Sequence, residues 1–210
     1  MPAINIPKNR LIPIFPEFSP MRVKFKDVFD LKDFYENYWE WLKEHGWIDF
    51  EDRLDKFERF YGERIGTGGV KEIWIRWRPC KVPEPYGAMK DPPLRYYFDI
   101  DFHILGLSTT EIIKDGKKIN TNKGEIDINI RAFVEKNYEV KFAEHGLLRH
   151  VIDIFSIRIY HRALEERKKE LYRETYLMQT FLKQWFKMKT HLPYEQTESF
   201  FPSKAWPSHR

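Results

Sequence analysis

The chain has 210 residues, of which 32% are charged and 17% aromatic, and its formal net charge is +4. This length allows one well-buried core with appendages but not two ordinary domains. Cys80 is the only cysteine, which excludes an internal disulfide and predicts a reducing compartment. No apolar run approaches the roughly 20 residues that span a bilayer, so we expect synthesis in the cytoplasm and no membrane span. Abundant charge with only three glutamines is typical of proteins from hot environments.

Both ends of the chain combine prolines with large apolar side chains. Residues 1–22 and residues 190–210 are therefore predicted to be neither helices nor central strands, because proline removes amide donors and fixes φ. Their apolar content is unlike that of free, disordered tails. We expect two extended arms that dock either on the single domain, residues 23–189, or on other subunits. The candidate partner-binding residues are Ile12, Ile14, Phe15, Phe18, Phe200, Phe201 and Trp206.

An apolar stripe with helical spacing predicts a first helix. It begins after Asp30, a suitable N-cap, and ends at Gly46, a suitable C′ residue. The stripe consists of Leu31, Phe34, Tyr35, Tyr38, Trp39 and Leu42. A second, shorter helix is predicted after Asp49, with Leu54, Phe57 and Tyr61 directed inward.

Alternating apolar and polar residues predict antiparallel strands in the middle of the chain. Residues 94–104, LRYYFDIDFHI, give the strongest signal, and residues 73–77 and 125–134 alternate in the same way. The Asp115-Gly116 pair is typical of a two-residue hairpin turn, because both central positions require positive φ.

Residues 147–192 contain neither glycine nor proline, and apolar residues recur there every seven positions. This pattern predicts one long helix, or two helices with a break near His161, because 46 helical residues would extend about 70 Å. The predicted fold class is therefore α+β, with two N-terminal helices, an antiparallel meander of four to five strands and a long C-terminal helical segment.

The central strand carries candidate metal ligands. Asp99, Asp101 and His103 share one face, and a neighbouring antiparallel strand can bring Asp127 beside them. Alternation alone, however, places acids on the solvent face of such a strand. We therefore assign neither a metal site nor a cofactor, and expect joint replacement of Asp99 and Asp101 by Asn to change stability by less than about 0.5 kcal/mol.

One short pattern suggests catalysis. Asp127 followed by Glu139-Val140-Lys141 resembles the acid…Glu-x-Lys pattern of metal-dependent nucleases, which implies metal-holding acids and a lysine that orients water. The glycine-rich residues 66–69 lack the lysine of a phosphate-binding loop and precede a strand, so they are interpreted as a turn. Cys80 has no evident base partner. We assign no catalytic residue.

The C-terminal region is basic. Residues 145–192 contain ten Lys or Arg and five acids, so a helix there can follow phosphates. The candidate nucleic-acid-binding residues are Arg162, Arg167, Lys168, Lys169 and Arg173. The alternative is a solvated face with pairs such as Glu165 and Lys169.

Two classes of function follow from these patterns. We expect a non-enzymatic structural subunit of a larger assembly, for example a virion, tail or connector component, that forms a homo-oligomer or joins other subunits. The alternative is a nucleic-acid-binding protein or metal-dependent nuclease that uses the basic helix and the strand acids.

Overall fold

A single antiparallel sheet dominates the molecule. The computed structural model describes residues 6–49, 56–84, 86, 87, 89, 91–114, 117–144 and 160–188. Of these, 47% lie in strands. The strands are β1 (Leu11–Pro13), β2 (Met21–Phe29), β3 (Ile48–Asp49), β4 (Glu58–Ile65), β5 (Lys71–Trp77), β6 (Pro79–Lys81), β7 (Leu94–Lys114) and β8 (Lys117–Lys136). The helices are α1 (Leu31–Glu44), α2 (Tyr138–Glu144) and α3 (His161–Trp185).

The long β7–β8 hairpin forms the centre of the sheet. On the outer side of β8, β2 pairs along residues 122–130 and β1 along residues 133–135. On the outer side of β7, β5 and β6 pair one after the other, and β4 and β3 pair with them in turn. The sheet is therefore five strands across, with β2 at one edge and β4 at the other.

One face of this sheet packs against α1 and α3. Ile100, Ile104, Ile128 and Ile130 lie on that face and are fully buried. The helices contribute a matching set of buried side chains: Phe34, Tyr38 and Leu42 from α1 and Leu171, Met178 and Leu182 from α3. Since each such side chain contributes roughly 1.5–3 kcal/mol on burial, this layer supplies most of the core.

The ends of α1 follow local chemistry. The Asp30 side chain accepts hydrogen bonds from the backbone N–H groups of Lys32 and Asp33, at 3.0 and 3.1 Å. At the other end Gly46 adopts φ +75°, and its N–H donates to the carbonyl oxygen of Lys43. Both predicted helix ends are confirmed.

The predicted fold class is wrong, because strands outnumber the expected four to five and the described residues 56–65, part of the predicted second helix, form no helix. Part of that stretch is β4, in which Tyr61 pairs with Ile75 and is half exposed. Its helical spacing was a local coincidence, and pairing with β5 decides the conformation. Leu54 lies outside the described residues. The described helix of the C-terminal segment is α3, which begins at His161.

The N-terminal arm docks on its own chain. The boundary expected at residue 22 falls inside β2, and β1 pairs with the end of β8. Arg10 donates to the buried carboxylate of Glu135. Ile6 packs with Cys80 and Tyr97 in a second, small core on the face opposite the helices.

The β7–β8 hairpin extends beyond its neighbours. Gly106, at φ +66°, lies in a bulge between the pairs Leu105–Glu125 and Ser108–Lys123. Pairing with β5 ends at Leu107 and pairing with β2 ends at Asn122. Residues 110–114 and 117–121 thus form a two-stranded projection, hereafter the projecting hairpin. The predicted turn at Asp115 and Gly116 lies outside the described residues.

Docking of the arm predicts the reactivity of Cys80. Burial raises the pKa of its thiol to about 12, so the reactive thiolate is scarce at neutral pH. Replacing Ile6 by Ala should uncover the thiol and accelerate its reaction with a disulfide reagent by at least about tenfold, since a buried contact is lost. Phe18→Ala is the matched control, because Phe18 is 91% exposed. Equal rates for the wild type and Ile6→Ala would contradict docking of the arm over Cys80.

Candidate functional surfaces

The sheet face opposite the helices carries a dense array of ion pairs, hereafter the ion-paired face. Strand alternation places acids of β7 and β8 between basic side chains of β2 and β5. Its members are Arg22, Lys24, Glu72, Arg76, Arg78, Asp99, Asp101, His103, Glu125, Asp127 and Arg131. Most of these acids are more enclosed than surface carboxylates, because the long basic side chains lie over them.

Arg78 is the centre of this array. It is only 2% exposed, and its guanidinium donates to the carbonyl oxygens of Trp77 and Ile100 and to Asp101 Oδ1 at 2.8 Å. Asp101 also accepts from Arg131. Asp99 Oδ1 lies 2.8 Å from Arg78 Nε, an ion pair whose angle is not that of a hydrogen bond. Burial raises the pKa of Asp99, although Arg78 and Arg131 oppose that effect.

The candidate metal ligands contact other side chains of the chain. The register places His103 opposite Asp127, as the sequence suggested. Asp127, however, accepts from Arg22 Nε at 2.7 Å, and His103 Nε2 lies 2.9 Å from Glu72 Oε1 while its ring stacks on Trp74. Among the described residues, no group of three potential ligands converges on one point. The three acids therefore form their ion pairs with arginines of the chain itself.

The residues of the nuclease-like pattern lie far apart. Asp127 and Lys136 are separated by nine residues of continuous strand, or about 30 Å, and Glu139 follows beyond that end on α2. Lys141 lies on the same helix, and Glu139 pairs with Lys136, which is not part of the pattern. The structure therefore does not bring the acids of this pattern together.

The candidate anchors of the N-terminal arm differ in exposure. Ile12, Ile14 and Phe15 pack against the chain's own core, and Phe15 stacks on Tyr172 of α3 with ring centroids 5.5 Å apart. Phe18 instead lies almost entirely in solvent. The C-terminal candidates Phe200, Phe201 and Trp206 lie outside the described residues.

The candidate basic residues of α3 fall into two groups. Arg162, Arg167 and Lys168 form salt bridges with Glu166, Glu170 and Glu165, one turn away on the same helix. Lys169 and Arg173 form no salt bridge with a described residue. Together with the arm they line a groove of about 450 Å³, hereafter the α3 groove, formed by Pro13, Ile14, Lys168, Lys169, Tyr172 and Arg173.

Sequence reasoning missed the exposed apolar residues of the strands. Phe60 and Tyr61 of β4 are about half exposed, and Ile65 of β4 and Ile113 of the projecting hairpin lie mostly in solvent. The sequence feature that could have revealed them is the lack of strict alternation in residues 58–65. A strand that carries apolar residues on both faces, none of them buried, is typical of a sheet edge.

Comparisons with known proteins find no match, since no protein-family model, curated protein or solved structure matches the chain. Within the part of the chain that the structure describes, no helix is both long and apolar enough to cross a membrane.

The contacts of the ion-paired face argue against the expectation that its acids are dispensable. Replacing Asp101 by Asn should lower the free energy of unfolding by about 3 kcal/mol, because it leaves the buried Arg78 without its hydrogen-bonded carboxylate. Asp99→Asn should cost less, since burial already disfavours the charge of Asp99 and its contact with Arg78 lacks hydrogen-bond geometry. Chemical denaturation measures both changes.

Glu111→Gln is the control for these variants, because Glu111 is exposed and forms only a long contact with Lys118. Its unfolding free energy should stay within about 0.5 kcal/mol of the wild type. Equal stability of Asp101→Asn and the control would contradict the role of Arg78. A Mg²⁺-dependent rise in Tm that Asp101→Asn abolishes would show instead that the face binds metal.

Proposed function

We propose that the protein is a non-enzymatic structural subunit of a larger assembly, such as a virion, tail or connector component. It is made in the cytoplasm and joins copies of itself or other subunits through surfaces formed by its strands. The exposed apolar side chains of β4 and of the projecting hairpin support this proposal, because they lie on an edge and a projection of the sheet, where protein partners add.

The observation that carries the proposal is the projecting hairpin. Its five residue pairs, from Thr110–Thr121 to Lys114–Lys117, have no third strand beside them among the described residues. A two-stranded ribbon by itself is only marginally stable in water. Ile113 is 75% exposed on this hairpin. Contact with a partner surface would remove its apolar side chain from water, which is favourable.

The electrostatics of the ion-paired face also favour a structural function. A catalytic carboxylate needs a free oxygen at the substrate, whereas Asp101 and Asp127 accept from arginines of their own chain. These pairs hold the carboxylates of Asp101 and Asp127 in one arrangement.

Shortening the projecting hairpin should reduce the native mass. A variant that joins Thr109 to Asn122 through Asp115-Gly116 keeps the pairing of the sheet but removes the projection. We expect the wild type to sediment above the 25.7 kDa of one chain and this variant to form smaller species. Ile113→Asp should act in the same direction, because it places a charge where apolar contact is expected.

Glu111→Gln tests whether any change in the hairpin has this effect, since it alters the same strand face without removing apolar surface. It should leave the mass unchanged. A wild type that is a 25.7 kDa monomer, both purified and in extracts of its own cells, would overturn the proposed function.

The α3 groove supports a second candidate, binding of single-stranded nucleic acid. It combines two cations that form no salt bridge with a described residue, Lys169 and Arg173, with the ring of Tyr172, and such a pairing suits phosphates and stacked bases. Four glutamates on the same helix weaken its field, namely Glu165, Glu166, Glu170 and Glu174.

Because of these glutamates, we expect only weak binding of a mixed-sequence oligonucleotide at physiological salt, with Kd above about 10⁻⁴ M. Fluorescence anisotropy with a labelled single strand measures it. Submicromolar binding that is lost in Lys169→Ala/Arg173→Ala, but kept in the exposed control Lys32→Ala, would favour the second candidate. The slope of log affinity against log salt would then fall by about 1.4, or 0.7 for each phosphate contact.

A further inference from the structure

The outer edge of β2 is open to a further strand. On one side β2 pairs with β8, and no described strand lies on its other side. The pairing with β8 runs without interruption from Met21 to Phe29, whereas proteins often shorten, bulge or interrupt an edge to prevent strand addition. This edge is therefore a template on which another extended segment can add.

The backbone groups of the even-numbered residues of β2 point to this open edge. In an antiparallel sheet the N–H and C=O groups of one residue point to the same neighbouring strand, and successive residues alternate. The C=O group of Ala132 accepts from Ile14 on the side of β8 where β1 and β2 lie, so even-numbered residues of β8 point towards β2. Their partners are the odd-numbered residues of β2. The residues that point outwards are therefore Arg22, Lys24, Lys26 and Val28.

On the ion-paired face this edge is basic. The side chains of Arg22, Lys24 and Lys26 lie there and are each more than half exposed. Arg22 pairs with Asp127, but the two lysines share the single carboxylate of Glu125. The three cations thus lie over two enclosed acids, and a partner that supplies acids here would be attracted.

On the helix face the same edge is apolar. Val23 is buried, whereas Phe25 is only partly buried. The Phe25 ring stacks on Phe186, just beyond the end of α3, with ring centroids 4.6 Å apart. A residue that added opposite Phe25 would therefore cover apolar surface. A segment that fits both faces alternates an acidic residue, opposite each cation, with an apolar one.

A second copy of this chain does not fit the edge. Because the faces of a continuous sheet must match, even-numbered residues of two β2 strands would pair with even-numbered ones. Every antiparallel register of five or more residues then places Lys24 or Lys26 opposite another cation, or Asp27 opposite Asp27.

The other described edge, β4, has no acid on the matching face. That face of β4 holds Phe60, Gly62 and Arg64. Lysine on an edge strand commonly repels like strands, and here the same side chains attract an acidic one.

We infer that β2 binds an acidic, extended segment of a different protein, which adds antiparallel to β2 and directs Asp or Glu side chains at Arg22, Lys24 and Lys26. All described strand pairs of the sheet are antiparallel, so this addition continues their pattern. The inference rests on the proposed function in that the chain joins other subunits, but it uses a surface other than the projecting hairpin. The interface is small, so a Kd on the order of 10⁻⁵ M is expected.

A labelled peptide of sequence TVEVEVEVT is the probe, because its three glutamates can face the three cations while its valines lie on the helix face. Fluorescence anisotropy at physiological salt measures its affinity. The peptide VVTEEETVV has the same composition without the alternation, and TVKVKVKVT has the alternation with reversed charge. Both controls should bind at least about tenfold more weakly than the probe.

Methylation of single peptide nitrogens tests the backbone pairing. In the expected register the central glutamate lies opposite Lys24 and its N–H points to β2, whereas the N–H of the next valine points away. N-methylation of this glutamate should weaken binding by at least about tenfold, because it removes a hydrogen bond and obstructs the edge. N-methylation of the next valine is the matched control and should change the affinity little.

Lys26→Glu tests the direction of the added strand. Lys26 contacts Glu125 only at 3.8 Å, so the domain should remain folded, which thermal unfolding checks. This variant should prefer TVKVEVEVT, whose lysine meets residue 26 in antiparallel addition, to TVEVEVKVT, whose lysine meets Arg22. Lys32→Glu makes the same charge change at an exposed position of α1 and should bind the original probe as the wild type does.

Three results would overturn the inference. Equal binding of TVEVEVEVT and VVTEEETVV would show that charge alone attracts the peptide, and equal effects of the two N-methylations would exclude strand pairing. Probe binding only by a chain that lacks residues 190–210 would assign the edge to the chain's own C-terminal segment. Self-association that Lys26→Glu abolishes would assign it to a second copy.

The proposed function is tested separately. The variant with the shortened projecting hairpin should bind the probe as the wild type does, because β2 is unchanged in it. A wild type that assembles through the projecting hairpin but does not bind the probe would retain the proposed function and overturn the inference about β2.

Discussion

The pairing of β7 with β8 is the constraint on which the rest of the structure depends. It runs from Leu94–Lys136 to Lys114–Lys117, broken only by the bulge at Gly106. Because side chains alternate across strands, this one register decides which residues face the helices and which form the ion-paired face. A slip of one residue would exchange Ile100 for Asp101 in the core. The burial of isoleucines from both strands therefore holds the register, and every other strand is added to it.

The two faces of the sheet are stabilised by different interactions. The helix face gains free energy by burying apolar area, whereas the opposite face has to neutralise charges that strand pairing brings close together. Arg78 shows how this is done, since one guanidinium donates to two backbone carbonyl oxygens and to Asp101 and forms an ion pair with Asp99. Such an array adds little net stability compared with apolar packing, but it penalises any other arrangement of the strands. Its main contribution is to a unique fold.

Local patterns in the sequence predicted some elements well. Asp30 and Gly46 bound α1 because capping depends only on nearby residues, and residues 94–104 form part of β7 because strict alternation has one simple solution. The spacing of Phe57 and Tyr61 fits a helical period, so the local pattern predicts a helix where β4 lies. Only pairing with β5 distinguishes the strand from a helix. The alternation of Met21, Val23 and Phe25 with Arg22 and Lys24 was a signal for β2 that the proline-rich surroundings concealed.

The candidate site was harder to foresee, for a physical reason. Asp99, Asp101 and Asp127 do face one side as predicted, but their chemistry depends on Arg22 of β2, Arg131 of β8 and Arg78 between β5 and β6. A carboxylate beside another carboxylate suggests a metal, and the same carboxylate beside a buried guanidinium is a structural ion pair. Sequence alone does not give the distances that separate these cases.

The bulge at Gly106 has a consequence for how this chain can change over generations. Before the bulge, even-numbered residues of β7 pair with even-numbered residues of β8, and after it they pair with odd-numbered ones. The bulge takes up the one extra residue of β7, so the pairs on both sides of it keep their partners and their faces. A codon gained or lost at this position would therefore be absorbed by the bulge, while Glu111 and Ile113 kept their side of the hairpin and the core below kept its register. Evolution could in this way change the length of one strand without rebuilding the domain.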